Sequence, residues 1–139
     1  MPFTIKQFAF DDEAAIKHIR ERVFIQEQQV PVELEWDNAD QDALHLIAVA
    51  ENGERVGTAR MLANGHIGRM AILQKWRGQG AGSALLATLL NIARERKLPR
   101  VFLHAQCSAL AFYSRFGFRA EGEPFMDAGI PHQAMSRTL

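Results

Sequence analysis

Two Asn-Gly pairs divide the middle of this 139-residue chain into three strand-like segments. Asn52-Gly53 and Asn64-Gly65 separate the stretches Leu44–Ala50, Arg55–Leu62 and Ile67–Leu73. Asn-Gly is favoured in two-residue hairpin turns, because both central positions of such a turn need a positive φ angle. The spacing therefore predicts three consecutive strands that form an antiparallel meander.

Helical periodicity flanks the predicted meander on both sides. The residues after Asp11 and Asp12 keep apolar side chains at helical spacing as far as Glu27, and either aspartate can cap the start of this helix. From Gly80 to about Lys97 the apolar residues again form a helical stripe. A long helix is therefore predicted on each side of the meander.

The remaining segments are short and complete the order of elements. They are predicted as a strand at Thr4–Phe8, a polar loop with room for one short helix at Gln26–Asp42, a buried strand at Val101–Ala105, a short helix at Ser108–Phe116 ended by Gly117, and strands at Phe118–Glu123 and Gln133–Thr138 around a Pro124–Pro131 loop. The order β-α-βββ-α-β-α-β-β predicts an α/β (α+β) fold with helices packed against a mixed sheet.

Composition excludes several classes of function. The chain has 16 basic and 16 acidic residues, so no net basic field would hold it on nucleic acid or on an anionic membrane. No apolar run reaches the roughly 18 residues of a membrane helix, and no secretory signal develops at the start. Cys107 is a single cysteine, and no Cys/His cluster has zinc spacing. We expect a reduced, cytoplasmic protein without a metal.

A glycine-rich run stands between the third strand of the meander and the long second helix. It reads Arg77-Gly78-Gln79-Gly80-Ala81-Gly82, and the free N–H groups of a helix start favour phosphate. No lysine follows the glycines as a nucleotide P-loop requires, and Ser83 replaces the third glycine of a dinucleotide loop. A pyrophosphate loop and a plain glycine-rich turn into a helix both remain open.

Two motifs resemble those of a known family. Arg77-x-x-Gly80-x-Gly82 resembles the signature of the GNAT superfamily of N-acetyltransferases, and Ala109–Phe118 is similar to the family's Ala-x-x-(aromatic)-Tyr-x-x-x-Gly-Phe segment. They stand in the family's order, which is more specific than either motif alone. Three further stretches are similar to the ElaA-like subgroup; they are Arg22–Gln28, Glu35–Asp40 and Gly129–His132.

The resemblance implies a fold and an activity for residues 1–139 as one GNAT domain. The fold would have a mixed, mostly antiparallel sheet of about six to seven strands, flanked by about four helices. The activity would be the direct transfer of an acetyl group from acetyl-CoA to a primary amine of a small molecule or peptide. A non-catalytic acyl-CoA-binding sensor or partner subunit is the alternative. Acceptor, acyl length and the choice between monomer and homodimer stay open.

The resemblance also implies which residues hold the acyl donor. The main chain of Met70, Ala71 and Ile72 would bind the pantetheine arm, and the strand at Val101–Ala105 would splay away to open a slot for it. The N–H groups of residues 77–82 would bind the pyrophosphate.

Three side chains of the second motif region complete the implied donor site. Gln106 stands where many members have an asparagine that touches CoA, and Phe112 also belongs to this site. Tyr113 would be the general acid that protonates the CoA thiolate. The alternative for Tyr113 is an amphipathic core residue.

The general base and the acceptor residues stay open. Carboxylates cluster between residues 27 and 40, and histidines offer further bases. Subgroup similarity singles out Glu35 and His132 as catalytic candidates, with a solvated loop and a structural histidine as their alternatives. The predicted acceptor-binding residues are Arg22, Glu27, Glu35, Asp37, Arg69 and His104. The acidic segment favours a cationic amine, such as a polyamine, an aminoglycoside or a lysine side chain.

Overall fold

A seven-stranded sheet runs through residues 3–7 and 12–139, which are the residues that the computed structural model describes. Its strands are β1 (Phe3–Gln7), β2 (Leu44–Ala50), β3 (Arg55–Met61), β4 (His66–Ile72), β5 (Arg100–Gln106), β6 (Arg119–Asp127) and β7 (Ile130–Thr138). Across the sheet they lie in the order β1-β2-β3-β4-β5-β7-β6. The β4–β5 pair is parallel and the other neighbours are antiparallel, which confirms the predicted mixed sheet.

The predicted meander is formed by β2, β3 and β4. Gly53 and Gly65 occupy the two turns with φ angles of 87° and 91°, in the left-handed region that glycine tolerates. The β2–β3 ladder pairs Leu44 with Met61, and the β3–β4 ladder pairs Met61 with Ile67. The Asn-Gly turns therefore set the register of the centre of the sheet.

Helices cover the two faces of the sheet. They are α1 (Glu13–Arg20), which continues as a π-helix over Glu21–Glu27, then α2 (Val32–Glu35), α3 (Ala81–Glu95) and α4 (Leu110–Arg115). Strand β2 points Leu46 toward α3 and Ile47 toward α1, and both side chains are fully buried. Full burial of such a side chain contributes about 1.5–3 kcal/mol. The centre of the sheet is therefore apolar on both faces.

The C-terminal half of the sheet is covered on one face only. In β5, Val101 and Leu103 are buried in the core with α3, whereas Phe102 and His104 alternate onto the other face and are half-buried or exposed. Helix α1 packs on β3 and β4. The face that carries Phe102 and His104 is therefore open beside α1.

The prediction of a loop at Pro124–Pro131 is wrong. Strands β6 and β7 continue toward each other to a two-residue turn at Ala128 and Gly129, whose φ angles are 52° and 77°. Pro124 fits because β6 is an edge strand and its ladder with β7 is irregular between Glu121 and Phe125. The hairpin is therefore longer than the prolines suggested.

The first helix begins where the sequence predicted, but the predicted side-chain cap is absent at Asp12. Asp12 precedes α1 and makes no capping bond; its carboxylate accepts a hydrogen bond from Arg55 Nε at 3.0 Å and lies 3.2 Å from Lys6 Nζ. Asp11 and Phe8 lie outside the described residues. Among those described, no helix has both the length and the apolar character needed to cross a membrane.

Candidate functional site

The parallel strands β4 and β5 separate soon after they meet. They pair at His66 with Phe102 and at Ile67 with Leu103, and not beyond. The main-chain groups of residues 68–72 that face β5 therefore have no partner in that strand. A cleft of about 420 Å³ opens at this divergence, between the end of α1, the segment around α2 and the β6–β7 turn.

A β-bulge in β4 shapes the floor of this cleft. The β3–β4 register shifts between Thr58 and Arg60, opposite Arg69, whose φ of 48° is in the left-handed region. That conformation costs a non-glycine residue about 1–2 kcal/mol. The bulge re-aims the strand so that Arg69 and Met70 both line the cleft. Ala71, by contrast, is buried against α1, so its side chain belongs to the core.

The glycine-rich run leads into α3 with its backbone exposed. Gly78 and Gly80 have φ angles of 76° and 98°, and a Cβ added to either would meet no other atom within 4 Å. No side chain caps α3, and its first helical bond runs from Ala84 N to Gly80 O at 3.0 Å. The N–H groups of residues 81–83 are therefore open to an anion at the positive end of a 15-residue helix.

Arg77 connects the glycine-rich run to the π-helix that follows α1. Its two terminal nitrogens donate to the Glu27 carboxylate at 2.9 Å each, and Nε donates to Ile72 O at 2.9 Å. Its own N–H donates to Gln74 O at 3.3 Å, so this group is not among those open to a pyrophosphate. Glu27 is thus occupied by Arg77 and does not line the cleft, contrary to its predicted role at the acceptor.

The second motif brings aromatic side chains to the slot. A Cβ on Gly82 would lie in ordinary contact with Phe112 Cζ, at 3.6 Å, so the start of α3 packs directly on α4. Tyr113 lines the cleft, and its hydroxyl lies 4.0 Å from Met70 Sδ, a weak acceptor. Burial raises the pKa of Tyr113 to about 12. The phenol therefore keeps its proton at neutral pH.

Gln106 is placed at the far end of the slot. Its side-chain Nε2 donates to Gln28 Oε1 at 2.8 Å, and both residues line the cleft. The bond joins the end of β5 to the end of the π-helix, across 78 residues of sequence. No local pattern marks Gln28 as part of the site.

Arg20 neutralises two of the clustered carboxylates. Its Nε donates to Glu35 Oε2 at 2.6 Å, its Nη1 donates to Asp40 Oδ1 at 2.8 Å, and its guanidinium lies 4.7 Å from the Trp36 ring. Arg20 and Glu35 are each about 2% exposed. Burial raises the pKa of Glu35, and the positive charges of Arg20 and Arg69 offset part of that rise.

Arg60 and Arg69 neutralise the third carboxylate. Arg60 Nη1 donates to Asp37 Oδ1 at 2.8 Å and to Asp40 Oδ1 at 3.0 Å, and Arg69 Nη2 donates to Asp37 Oδ2 at 3.2 Å. Burial would raise the pKa values of Asp37 and Asp40, but the arginine hydrogen bonds and charges outweigh it and hold both pKa values below the ordinary value.

These pairs reduce the negative charge that the sequence predicted for the cleft. Three arginines pair with Glu35, Asp37 and Asp40, so these three carboxylates present no net negative charge to a cationic amine. Asp127 is a further acidic residue that lines the cleft. Arg69 pairs with these acids and is not free for an acceptor carboxylate. Arg22 is exposed on the π-helix and does not line the cleft.

His132 lines the cleft with one ring nitrogen bonded to the main chain. Its Nδ1 lies 2.7 Å from Ile130 O, and since a carbonyl oxygen only accepts, Nδ1 carries the hydrogen. Nε2 of the neutral ring then bears a free electron pair. His132 lines the cleft and is 9% exposed.

A continuous row of rings, which we name the aromatic wall, crosses the open face of the sheet. It consists of Phe102, His66, His104, Phe125 and His132, and neighbouring ring centroids are 4.7, 5.0, 5.3 and 5.9 Å apart. Burial, with the positive charges of His104, Arg60 and Arg69, lowers the pKa of His66. The wall borders the cleft, and all three of its histidines line the cleft.

The family model described as the acetyltransferase (GNAT) domain matches residues 9–139. The chain belongs to the GNAT acetyltransferase family. The resemblance drawn from the two sequence motifs is thereby confirmed, and the family is one of acyltransferases.

Curated relatives and solved structures agree with this assignment. The chain is 38% identical, over 86% of its length and 84% of the relative's, to a Bacillus subtilis protein provisionally named an acetyltransferase. It is 30% identical to Escherichia coli ElaA over 90% of this chain and 86% of ElaA, whose crystal structure superposes with a TM-score of 0.86. An acyl-CoA N-acyltransferase of Pseudomonas aeruginosa is 33% identical, with a TM-score of 0.84 over 97% of each chain.

Proposed function

We propose that this GNAT chain is an acetyl-CoA-dependent N-acetyltransferase that acts on a primary amine of a small molecule or peptide. The Pseudomonas aeruginosa relative is named an acyl-CoA N-acyltransferase, which supports an acyl-CoA donor and a nitrogen acceptor here. The observation that carries the proposal is the slot between β4 and β5, with the protonated Tyr113 phenol beside it.

The donor is held mainly by main-chain groups in this proposal. The backbone of Met70–Ile72 along the slot is not paired with β5 and suits the amides of a pantetheine arm, although Ile72 O already accepts a hydrogen bond from Arg77. The open N–H groups at the start of α3 suit a pyrophosphate, with Gly80 leaving the space that a side chain would fill. Arg77 contributes by fixing the loop through Glu27 rather than by binding phosphate itself.

The chemical step is direct transfer. An ammonium acceptor first loses a proton, and its nitrogen then attacks the thioester carbonyl carbon. A C–N bond forms, the C–S bond breaks, and Tyr113 donates its proton to the departing thiolate. A base takes the second proton of the nitrogen, and that proton returns to the Tyr113 phenolate through solvent. The net products are an amide, the free thiol and one released proton.

His132 is the base that the geometry favours over Glu35. His132 lines the cleft, and the hydrogen bond of Nδ1 leaves Nε2 as the acceptor, whereas Glu35 is held by Arg20 at 2.6 Å and approached by Arg69. Burial raises the pKa of Glu35, but its Oε2 is engaged by the two arginines, and a proton placed there would break the buried pair with Arg20.

The test begins with acetyl-CoA alone, titrated into the folded protein by calorimetry. We expect micromolar binding, followed by amine-dependent release of CoA thiol. Tyr113→Phe should lower kcat about a hundredfold and leave the acetyl-CoA Kd within twofold. His132→Gln should also lower kcat.

Two other outcomes are decisive against the proposal. The absence of binding at millimolar acetyl-CoA would overturn the donor site and the transfer reaction together. Tight acetyl-CoA binding without thiol release across a broad amine panel would instead favour a non-catalytic acyl-CoA sensor.

A further inference from the structure

Most of the aromatic wall lies on strands beyond those on which α1 packs. Four of its five rings stand on β5, β6 and β7 and one stands on β4, whereas α1 packs on β3 and β4. Phe125, the fourth ring of the row, is 36% exposed although it is a large apolar side chain. It does not itself line the cleft, but its ring contacts His104 and His132, which do. An apolar ring that settles against Phe125 would therefore remove apolar surface from water.

The carboxylates around α2 give a polycationic acceptor no net negative charge, because they are paired with arginines. Asp127 is the further acidic residue of the lining. On the opposite side from the aromatic wall, Leu34 lines the cleft and is 52% exposed, so a second apolar surface faces the bound acceptor. The cleft thus offers histidine rings and aliphatic carbon beside carboxylates that are mostly paired.

The ring geometry favours an aromatic partner over an aliphatic one. Phe125 meets His104 edge-on, with an interplanar angle of 85°, and stacks on His132 at 24°. Rings in contact prefer such edge-to-face and offset arrangements, which add to the stabilisation from buried area alone. A further planar ring can join the row in either arrangement, while a cyclohexyl group can contribute only its area.

The position of the proposed base fixes the length of the acceptor. His132 belongs to the wall, and its ring centroid is 5.9 Å from that of Phe125. An amine within hydrogen-bond reach of His132 Nε2 can place a ring on Phe125 if a chain of about two carbons joins them. We propose that the preferred acceptor is a primary amine that a short chain joins to an aromatic ring, with the ring bound by Phe125 and His104. This inference rests on the proposed function.

The first experiment compares acceptors at saturating acetyl-CoA. The probes are 2-phenylethylamine, 2-cyclohexylethylamine, which has a similar outline without an aromatic ring, and spermidine. We expect kcat/KM for 2-phenylethylamine to exceed that for 2-cyclohexylethylamine about fivefold and that for spermidine at least tenfold. A higher kcat/KM for spermidine than for 2-phenylethylamine would overturn the inference and leave the transfer reaction standing.

Variants of adjacent residues locate the effect on the wall. Phe125→Ala should raise the KM for 2-phenylethylamine about tenfold with little change in kcat, and Phe125→Leu should recover only part of the loss. Met126→Ala is the matched control, because Met126 is 65% exposed and its side chain alternates to the other face of β6. Equal KM values for Phe125→Ala and the unaltered protein would overturn the inference.

A binding measurement keeps the two proposals separable. In the complex with CoA, 2-phenylethylamine should shift the ring-proton NMR signals of His104 and His132 and leave that of His18, which is exposed on α1, unchanged. Uniform shifts or none would contradict the aromatic wall as the binding surface. Acetyl-CoA calorimetry on the same sample reports on the donor site, so a failure there is distinguished from a failure of the acceptor class.

Discussion

The proposed donor side and the proposed acceptor side of the cleft are built in different ways. On the donor side, backbone groups of the glycine-rich run and of β4 point outward, and their exposure follows from glycine conformations and from the separation of two strands. On the acceptor side, the surface is made by side chains that pair across long distances in sequence, such as Arg20 with Glu35 and Arg60 with Asp37. One side is therefore encoded locally, and the other by the tertiary fold.

This difference has an energetic counterpart. A backbone anion site loses function when a side chain intrudes, but the fold around it need not weaken. A buried ion-pair network loses stability when one partner is removed, because the remaining charge stays buried without compensation. Substitutions on the two sides should therefore separate binding from stability.

The largest effect is expected from Arg20→Met. It removes the partner of Glu35 and one partner of Asp40, and should lower the free energy of unfolding by about 3 kcal/mol. Urea denaturation measures this loss. Lys17→Met is the matched control on the same helix, because its ion pair with Glu13 is exposed and should contribute less than about 0.5 kcal/mol. Equal losses in the two variants would show that the network does not hold the acceptor side.

Gly80→Glu should act on the donor side with a smaller effect on stability. The new side chain would enter the open space before α3 and bring a negative charge to the proposed pyrophosphate position, so the Kd for acetyl-CoA should rise at least a hundredfold. Calorimetry measures the Kd. Gly53→Glu is the control, since Gly53 has a similar φ of 87° and equal open space in the β2–β3 turn. A similar rise in Kd for Gly53→Glu would show that backbone strain, and not the position of Gly80, weakens acetyl-CoA binding.

The smallest effect concerns acid stability. The pKa of Asp40 is lower in the folded chain than its ordinary value of 3.8, so its stabilising contribution is complete above that pH and is lost as the pH falls through the lowered folded pKa. The free energy of unfolding should therefore fall on acidification below about pH 4, and Asp40→Asn should make that fall smaller.

Urea denaturation as a function of pH compares Asp40→Asn with Asp42→Asn, which alters an exposed carboxylate in the same 3₁₀ helix, Asn38–Asp42. Glu35 opposes the trend, because its raised pKa favours the folded state as the pH falls. If Asp40→Asn leaves the pH dependence of the free energy of unfolding unchanged, Asp40 does not contribute to the loss of stability in acid.

The sequence could predict the elements whose signals are local. The Asn-Gly turns, the glycine-rich run and the stripe of α3 each lie within a few residues of the structure they specify. The β6–β7 hairpin was underestimated because Pro124 and Gly129 usually mark a loop, whereas an edge strand and a tight turn accommodate them. Local signals therefore place the elements better than their ends.

The acceptor side could not be predicted in the same way. Acidic residues were visible, but their partners Arg20 and Arg60 lie 15 to 23 residues away along the chain. One signal was available. Arg20 follows Ile16 and Ile19 on the buried face of α1, and a charged residue at such a position indicates a buried partner. The rings of the aromatic wall come from four strands, so only the sheet order assembles them.

The short β4–β5 ladder also has a mechanical meaning. Two residue pairs join β4 to β5, whereas seven join β5 to β7. The sheet is therefore weakly connected along the slot. Helix α3 spans this weak connection on one face. A ligand that lies in the slot would contact both parts of the sheet. The force needed to pull these two parts apart should therefore be larger when the slot is filled than when it is empty.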